Sequence, residues 1–180
     1  MSAHSKILLP ILKNIEHSIG CEVGVHAGDT AKFLLKNLGT IEKYYAIDPW
    51  KIYDMYDGKK YRKPGHKKYK TMQAAMENFL TMTTPYKNKV VTLRMTSVDA
   101  CKNIPDGHLD WIFIDANHEY EYIKENLILW TPKVKQGGLV SGHDYGNKWQ
   151  GIKKAVDEFV PKDKLKIYPE TIWAFTNGDF

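Results

Sequence analysis

Short runs of β-type residues alternate with helical patterns along nearly the whole chain, and this alternation limits the possible folds most. Strands are indicated at 21–25, 44–47, 90–93, 110–115, 138–141, 165–168 and 171–175. Helices are indicated at 7–17, 30–38, 72–80, 120–130 and 152–159, with a short one near 99–102. Such alternation favours right-handed crossovers and a mostly parallel sheet between two helical layers. We therefore predict a three-layer α/β fold with seven strands, the last two forming a closing antiparallel pair.

The composition fits one globular domain over residues 1–180. The chain is 43% hydrophobic and 26% charged, and no apolar run is long enough to cross a membrane. Residues 1–18 are expected to contain an N-terminal helix, with Pro10 in its first turn, where a missing N–H costs little. No targeting pattern is visible, and Cys21 and Cys101 are too few for a disulfide framework. A cytoplasmic location is therefore expected.

The positive charge of the chain is concentrated in one segment. The formal net charge is +5, whereas residues 51–70 alone contain eight basic and two acidic residues, a net charge of +6. The rest of the chain is therefore close to neutral. The segment lacks clear periodicity and contains Gly58, Pro64 and Gly65, which predicts a long loop. Such a loop is either a functional lid or a solvated connection.

The residues that follow the strands are the candidate site, because ligands of such folds bind beyond the carboxyl ends of the strands. Gly24 and Gly28 lie between the first strand and a helix, where glycine lets a ligand approach the backbone. Their spacing lacks the Gly-x-Gly-x-x-Gly run of dinucleotide folds, which disfavours a nicotinamide-dependent oxidoreductase. Asp48 ends the second strand, where a carboxylate can accept hydrogen bonds from ribose hydroxyls or simply cap a turn.

Taken together, these motifs resemble those of the class I S-adenosylmethionine-dependent methyltransferases. The residues that carry the resemblance are Glu22, Gly24, Gly28, Asp48, Asp115, Gly137 and Gly138. Residues 113–120 and 142–145 are similar to the branch that includes metal-dependent sugar O-methyltransferases. The resemblance extends over residues 20–176 and implies a Rossmann-like fold, a methyltransferase activity and S-adenosylmethionine as the cofactor.

The resemblance also implies which residues bind the cofactor. They are Glu22, Gly24, Gly28, Asp48, Ser97, Val98 and Asp115. The two glycines would pass beneath the methionine part of the cofactor, and Glu22 would support their turn. Asp48 would hold the ribose. Ser97 would lie near the adenine edge, with Val98 against its face, and Asp115 would stand where the methyl group emerges.

The chemistry of the acceptor side has two interpretations. In the metal-using branch, the aspartate after the fourth strand and two acids after the fifth bind a divalent cation, but this chain has His143-Asp144 there. Asp115, His143 and Asp144 can still bind a metal, and such a set suits Mn²⁺, Fe²⁺ or Zn²⁺ better than Mg²⁺. In the other interpretation, Asp144 caps a turn and His118 or His143 acts as a base. His4 lies in no motif.

The expected function is O-methylation of a small-molecule or sugar-type acceptor. The basic segment would then be a lid for an anionic acceptor, such as a phosphorylated or nucleotide-linked sugar. Two alternatives stay open: a nucleic-acid methyltransferase, whose basic segment and tyrosines would contact phosphates and bases, and a non-catalytic nucleoside-binding module. The nucleic-acid alternative is disfavoured because Asp115-Ala-Asn-His stands where many such enzymes have Asp/Asn-Pro-Pro-Tyr.

Overall fold

The computed structural model describes residues 3–15, 18–52 and 68–180, and its described strands form one seven-stranded sheet. The strands are β1 (Ser18–Val23), β2 (Ile41–Ile47), β3 (Val90–Leu93), β4 (Leu109–Ile114), β5 (Val134–Gly142), β6 (Lys166–Tyr168) and β7 (Ile172–Thr176). The α-helices are α1 (Ala3–Leu12), α2 (Asp29–Asn37), α3 (Met72–Thr83), α4 (Ser97–Cys101), α5 (Tyr120–Trp130) and α6 (Gln150–Phe159).

The sheet has the order β3-β2-β1-β4-β5-β7-β6. The first five of these strands pair in parallel, and β7 is antiparallel to both β5 and β6. The predicted three-layer fold, mostly parallel with an antiparallel pair at the C-terminal end, is confirmed. β1 and β4 are neighbours, and the strand order runs from them in opposite directions. Ligands of open α/β sheets bind at such a reversal.

Helices cover both faces of the sheet because its central strands are apolar on both sides. Along β4, Trp111 and Phe113 belong to the apolar cluster that also contains residues of α1, α2 and α3. Ile112 and Ile114, which alternate with them, belong to the opposite cluster with residues of α4, α5 and α6. Among the described residues, no helix combines the length and the apolar character needed to cross a membrane.

The N-terminal helix differs from its prediction. The apolar pattern predicted a helix over 7–17 with Pro10 in the first turn, whereas α1 runs from Ala3 to Leu12 and Pro10 lies near its end. Leu8 and Leu12, one turn apart, are fully buried and fix the register of α1. The first turn is polar, so an apolar pattern could not reveal it. Pro10 has no N–H to donate to the carbonyl of Lys6, so the helix lacks one hydrogen bond there.

The basic segment lies mainly outside the described residues. Lys51 and Ile52 precede the gap, and Lys68 follows it. The predicted loop and lid over residues 51–70 therefore stay predictions.

Candidate functional site

The register of the sheet brings the predicted strand-end residues together at one edge. Val23 pairs with Ile47 on one side and with Ile114 on the other. Beyond these pairs, the Gly24 amide donates to the Ile47 carbonyl at 2.9 Å, and the Asp115 amide donates to the Val23 carbonyl at 2.8 Å. The turn after β1 and the residue after β4 are consequently direct neighbours.

β5 adds its own strand-end residue to this edge. Ile114 pairs with Gly142, and the amide of His143 donates to the Ile114 carbonyl at 3.1 Å. His143 and Asp144 therefore leave the sheet beside Asp115.

Two features require glycine at position 24: the backbone conformation and the close approach of the Asp115 backbone. Its φ is +96°, and a Cβ at this position would lie 2.0 Å from the Asp115 carbonyl oxygen. Gly28, with φ +81°, caps α2 without a side-chain hydrogen bond, and its Cβ would lie 2.7 Å from Phe79. The first N–H groups of α2 therefore have no side-chain cap. They suit an anionic group such as the carboxylate of an amino-acid ligand.

Glu22 supports this turn from inside the protein. Its carboxyl is 2% exposed and accepts a hydrogen bond from the Tyr44 hydroxyl at 2.5 Å. Burial raises the pKa of Glu22 to about 8, although hydrogen bonds from Tyr44 and Thr30 oppose the increase. The Glu22 side chain is therefore neutral at neutral pH. Its hydrogen bonds connect β1 to Tyr44 of β2 and to Thr30 of α2.

Asp48 joins the loops that follow β1 and β2. Its two carboxylate oxygens accept hydrogen bonds from the amides of His26 (2.8 Å) and Trp50 (2.7 Å). The Trp50 indole N–H donates to the His26 carbonyl at 2.7 Å, and both residues have positive φ. Burial raises the pKa of Asp48, and these backbone N–H groups oppose the increase. Carboxylate oxygens accept more than one hydrogen bond, so contact with a ribose remains compatible with this geometry.

Ser97 begins α4, and its side chain is engaged within the protein. The hydroxyl accepts a hydrogen bond from the Trp130 indole N–H at 2.6 Å and donates one to Asn126. It therefore fastens α4 to α5. Val98, the next residue, is partly exposed. Their contact with an adenine ring stays a prediction.

The four predicted acceptor-side residues lie together. His118 Nε2 is 2.9 Å from Asp144 Oδ2. His143 Nδ1 lies 3.6 Å from Asp115 Oδ1 and 3.5 Å from Asp144 Oδ2. Asp144 has a φ of +63°, a strained backbone conformation of the kind that clusters at functional sites.

His4 also belongs to this cluster, although no sequence motif indicated it. Its Nε2 lies 3.9 Å from Asp115 Oδ2 and 2.9 Å from Thr30 Oγ1, and its ring centroid is 4.3 Å from that of His143. The apolar pattern that predicted a helix from residue 7 left His4 outside it. Only the docking of α1 against the sheet brings this side chain to the site.

The two carboxylates and their neighbours set the protonation of the histidines. Burial alone would lower the pKa of His143, but Asp115 and Asp144 reverse this and raise it to about 10. His143 is therefore an imidazolium at neutral pH. Burial would raise the pKa of Asp144, yet hydrogen bonds from His118 and His143 hold it well below its usual range. Burial lowers the pKa of His4, which keeps that ring neutral.

The donor atoms of the cluster have the spacing of a metal site. Two groups that share Asp115, namely His4–Asp115–His143 and Asp115–His118–Asp144, each place their ligand atoms within 4.8 Å of one another. The predicted ligands Asp115, His143 and Asp144 are distributed over both groups. Imidazole and carboxylate donors together fit a divalent cation of the first transition row.

Asn117 lies in the same segment, between Asp115 and His118, and is 3% exposed. Its Oδ1 accepts a hydrogen bond from the Glu119 amide at 3.0 Å, whereas its Nδ2 has no hydrogen-bond partner among the described residues. A buried donor without a partner costs about 1–3 kcal/mol. This position therefore suits an acceptor atom of a bound ligand.

Comparisons with known proteins point to one family. The model of a family described as a methyltransferase domain matches residues 21–145. No curated protein is significantly similar to the chain in sequence.

Solved structures, some of them named as methyltransferases, share the fold. CalS11, a TDP-rhamnose 3′-O-methyltransferase of calicheamicin biosynthesis, is 17% identical, with a TM-score of 0.67 over 98% of this chain and 78% of that one. Cofactor-bound Rv0187 from MTB is 11% identical, with a TM-score of 0.66 over 98% and 81% of the respective chains. An rRNA methylase from Streptococcus thermophilus is 13% identical, with a TM-score of 0.62 over 97% and 93%. At these identities the similarity shows the fold alone.

Proposed function

This chain belongs to the methyltransferase domain family, and on that premise we propose that it transfers the methyl group of S-adenosylmethionine to the hydroxyl of a small-molecule or sugar-type acceptor. The observation that carries the proposal is the contact between the Gly24 turn and Asp115, whose carboxylate stands 3.6 Å from His143. The expected cofactor turn and the expected acceptor group thus meet at one point.

The cofactor side uses residues that fit the expected ligand. When bound, S-adenosylmethionine supplies an electrophilic methyl group on a positively charged sulfur. The uncapped start of α2 after Gly28 would hold its carboxylate, and Asp48 would accept hydrogen bonds from its ribose. Gly24 leaves the backbone accessible, and neutral Glu22 supports the turn from inside.

Of the two histidines beside the acceptor, His118 is better suited to act as the base. His143, with a pKa raised to about 10, already carries a proton at neutral pH and serves as a donor to the carboxylates. His118 lies 2.9 Å from Asp144, whose carboxylate would stabilise the imidazolium formed when His118 takes the hydroxyl proton. Asp115 would orient the acceptor hydroxyl towards the methyl group, which supplies much of the rate in such reactions.

A divalent cation is the alternative way to activate the hydroxyl. Asp115, His143 and Asp144 would hold it once His143 has lost its proton to make room for the metal, and the charge of the cation would lower the pKa of the acceptor hydroxyl. Asp115 has the same importance in both arrangements, because its backbone adjoins the Gly24 turn in either case.

We further propose that the acceptor is anionic. Residues 51–70, which have a net charge of +6, come shortly after Asp48 in the sequence. This local positive charge supports a phosphorylated or nucleotide-linked acceptor. CalS11, whose name specifies a TDP-linked sugar, has the same fold. We expect the protein to act in the cytoplasm.

Titration calorimetry and a methyl-transfer assay test the function. We expect S-adenosylmethionine to bind, and label from its methyl group to appear on a member of a panel of nucleotide sugars and sugar phosphates. Asp115→Ala should reduce turnover at least 100-fold, about 2.7 kcal/mol, and change cofactor affinity less than about threefold. Asp163→Ala, whose side chain is 75% exposed, is the control.

Each other outcome points elsewhere. Absence of cofactor binding would contradict the proposal, as would full turnover in the Asp115 variant. Labelling of RNA or DNA instead of the panel would favour a nucleic-acid methyltransferase. Cofactor binding without transfer to any acceptor, nucleic acids included, would favour a non-catalytic module.

A further inference from the structure

His4 reaches the strand-end cluster from a helix that is firmly docked. Leu8 and Leu12 of α1 are fully buried, and the buried Ser5 hydroxyl lies 3.4 Å from Thr30 Oγ1. His4 itself has a side chain that is only 15% exposed. The docked helix therefore holds the His4 imidazole at the site.

The contacts of His4 place a third imidazole beside Asp115 and His143. Together, His4, His118, His143, Asp115 and Asp144 provide three nitrogen-bearing rings and two carboxylates. The pairs that involve Asp115 or Asp144 lie 2.9 to 3.9 Å apart. Ligands bonded to one ion at about 2.1 Å stand about 3.0 to 3.4 Å from each other. In the group His4–Asp115–His143 the donor atoms lie within 4.8 Å of one another, so modest side-chain rotations would bring these three to one cation.

We propose that His4 is a ligand of a mixed histidine–aspartate centre that selects a borderline first-row cation, such as Zn²⁺, Co²⁺, Fe²⁺ or Mn²⁺, over Mg²⁺. Magnesium prefers oxygen ligands in strict octahedral geometry, whereas imidazole suits the transition metals. The imidazoles of His4 and His143 beside the Asp115 carboxylate therefore favour these metals over Mg²⁺.

The bond between His4 and Thr30 does not oppose this role. A hydrogen bond between neutral groups contributes little net stability, so a metal–imidazole bond can replace it. Thr30 also bonds to Glu22, so its hydroxyl keeps a partner when the His4 ring turns to the metal. The inference rests on the proposed function only for the use of the metal; the binding can be measured without any acceptor.

Metal titration of the tag-free 180-residue chain, freed of metal by a chelator, tests the proposal. We expect Co²⁺ to bind with the visible absorption of an imidazole-ligated ion, Zn²⁺ to displace it, and Mg²⁺ to bind at least 100-fold more weakly than Co²⁺. His4→Ala should weaken Co²⁺ binding at least tenfold and alter its spectrum. His108→Ala is the matched control, because His108 lies 3.1 Å from the Tyr45 hydroxyl and outside both groups.

Several results would overturn the proposal. These are equal affinities for Mg²⁺ and Co²⁺, or a His4→Ala variant that binds Co²⁺ like His108→Ala. His4→Gln serves as a second variant if the alanine variant does not fold, and the comparison of Co²⁺ with Mg²⁺ requires no variant. A parallel titration of the wild-type protein with S-adenosylmethionine separates the two proposals. Failure to bind the cofactor contradicts the methyltransferase function. Failure to bind Co²⁺ more tightly than Mg²⁺ contradicts the metal centre.

Discussion

Glu22 illustrates how burial changes the chemistry of a single residue. By its sequence it is an acid at a cofactor turn, but its carboxyl is 2% exposed and its pKa is raised to about 8. Between about pH 4.5 and pH 8 the unfolded chain has lost the proton that the folded chain keeps. The folded state binds more protons, so stability must fall as the pH rises through this window.

Glu22→Gln should remove this pH dependence. Gln is neutral and of the same shape, so the Tyr44 hydroxyl can still donate to it. We expect the free energy of unfolding of the wild type to fall, relative to the variant, by about 4 kcal/mol between pH 4.5 and pH 8. Urea unfolding of both proteins across this range measures the difference. Parallel curves would show that Glu22 ionises normally in the folded state.

The site histidines also differ from one another through their surroundings. His143 is protonated because two carboxylates face it, whereas burial keeps His4 neutral. The two residues therefore differ in charge, and His118, the proposed base, differs from both in its contact with Asp144. No sequence pattern distinguishes them.

At the scale of elements, the turn after β1 depends on β4. Gly24 and the backbone of Asp115 are in contact, so the first strand-end turn and the fourth are one packed unit. Any side chain at position 24 must move both, and with them the acceptor-side carboxylate.

Gly24→Ala should therefore damage both stability and cofactor binding. The φ of +96° and the approach of 2.0 Å to the Asp115 oxygen lead us to expect a loss of more than about 2 kcal/mol in the free energy of unfolding. Gly39→Ala is the control: Gly39 is exposed, and nothing lies within 4 Å of its added Cβ. We expect the control to shift stability by less than about 0.5 kcal/mol. Equal denaturation midpoints would contradict this account of the turn.

At the scale of the whole molecule, the positive charge is local. The net charge of residues 51–70, +6, is larger than that of the entire chain, +5. The remainder of the protein is therefore close to neutral and attracts a polyanion only weakly. A small anionic acceptor requires only such a local patch, whereas nucleic-acid binding usually involves an extended one.

Neutralising part of this segment separates its two interpretations. Replacement of Lys59, Lys60, Arg62 and Lys63 by serine should raise the KM for an anionic acceptor about tenfold, or about 1.4 kcal/mol, and leave cofactor affinity unchanged. The control replaces four exposed lysines elsewhere, namely Lys13, Lys36, Lys102 and Lys162. If both variants keep the wild-type KM, the segment is a solvated connection.

Much of the fold could be predicted because hydrophobic periodicity is local. Strand alternation and strand-end glycines predicted the layers, the parallel sheet and the positions of Gly24, Asp48, Asp115 and His143. The start of α1 could not be predicted, because its first turn is polar and its one buried residue, Ser5, is covered by contacts distant in sequence. The basic segment has no periodicity, so its role stays a prediction.

The sequence by itself determined which residue types follow each strand, and the right-handed parallel topology made those residues meet at one edge. Only the tertiary structure decided that His4 joins them, that Asp48 is held by two backbone amides, and that Glu22 keeps its proton. The physical reason is that protonation and coordination depend on distances between residues far apart in the chain. Those distances are fixed by packing, which no local pattern encodes.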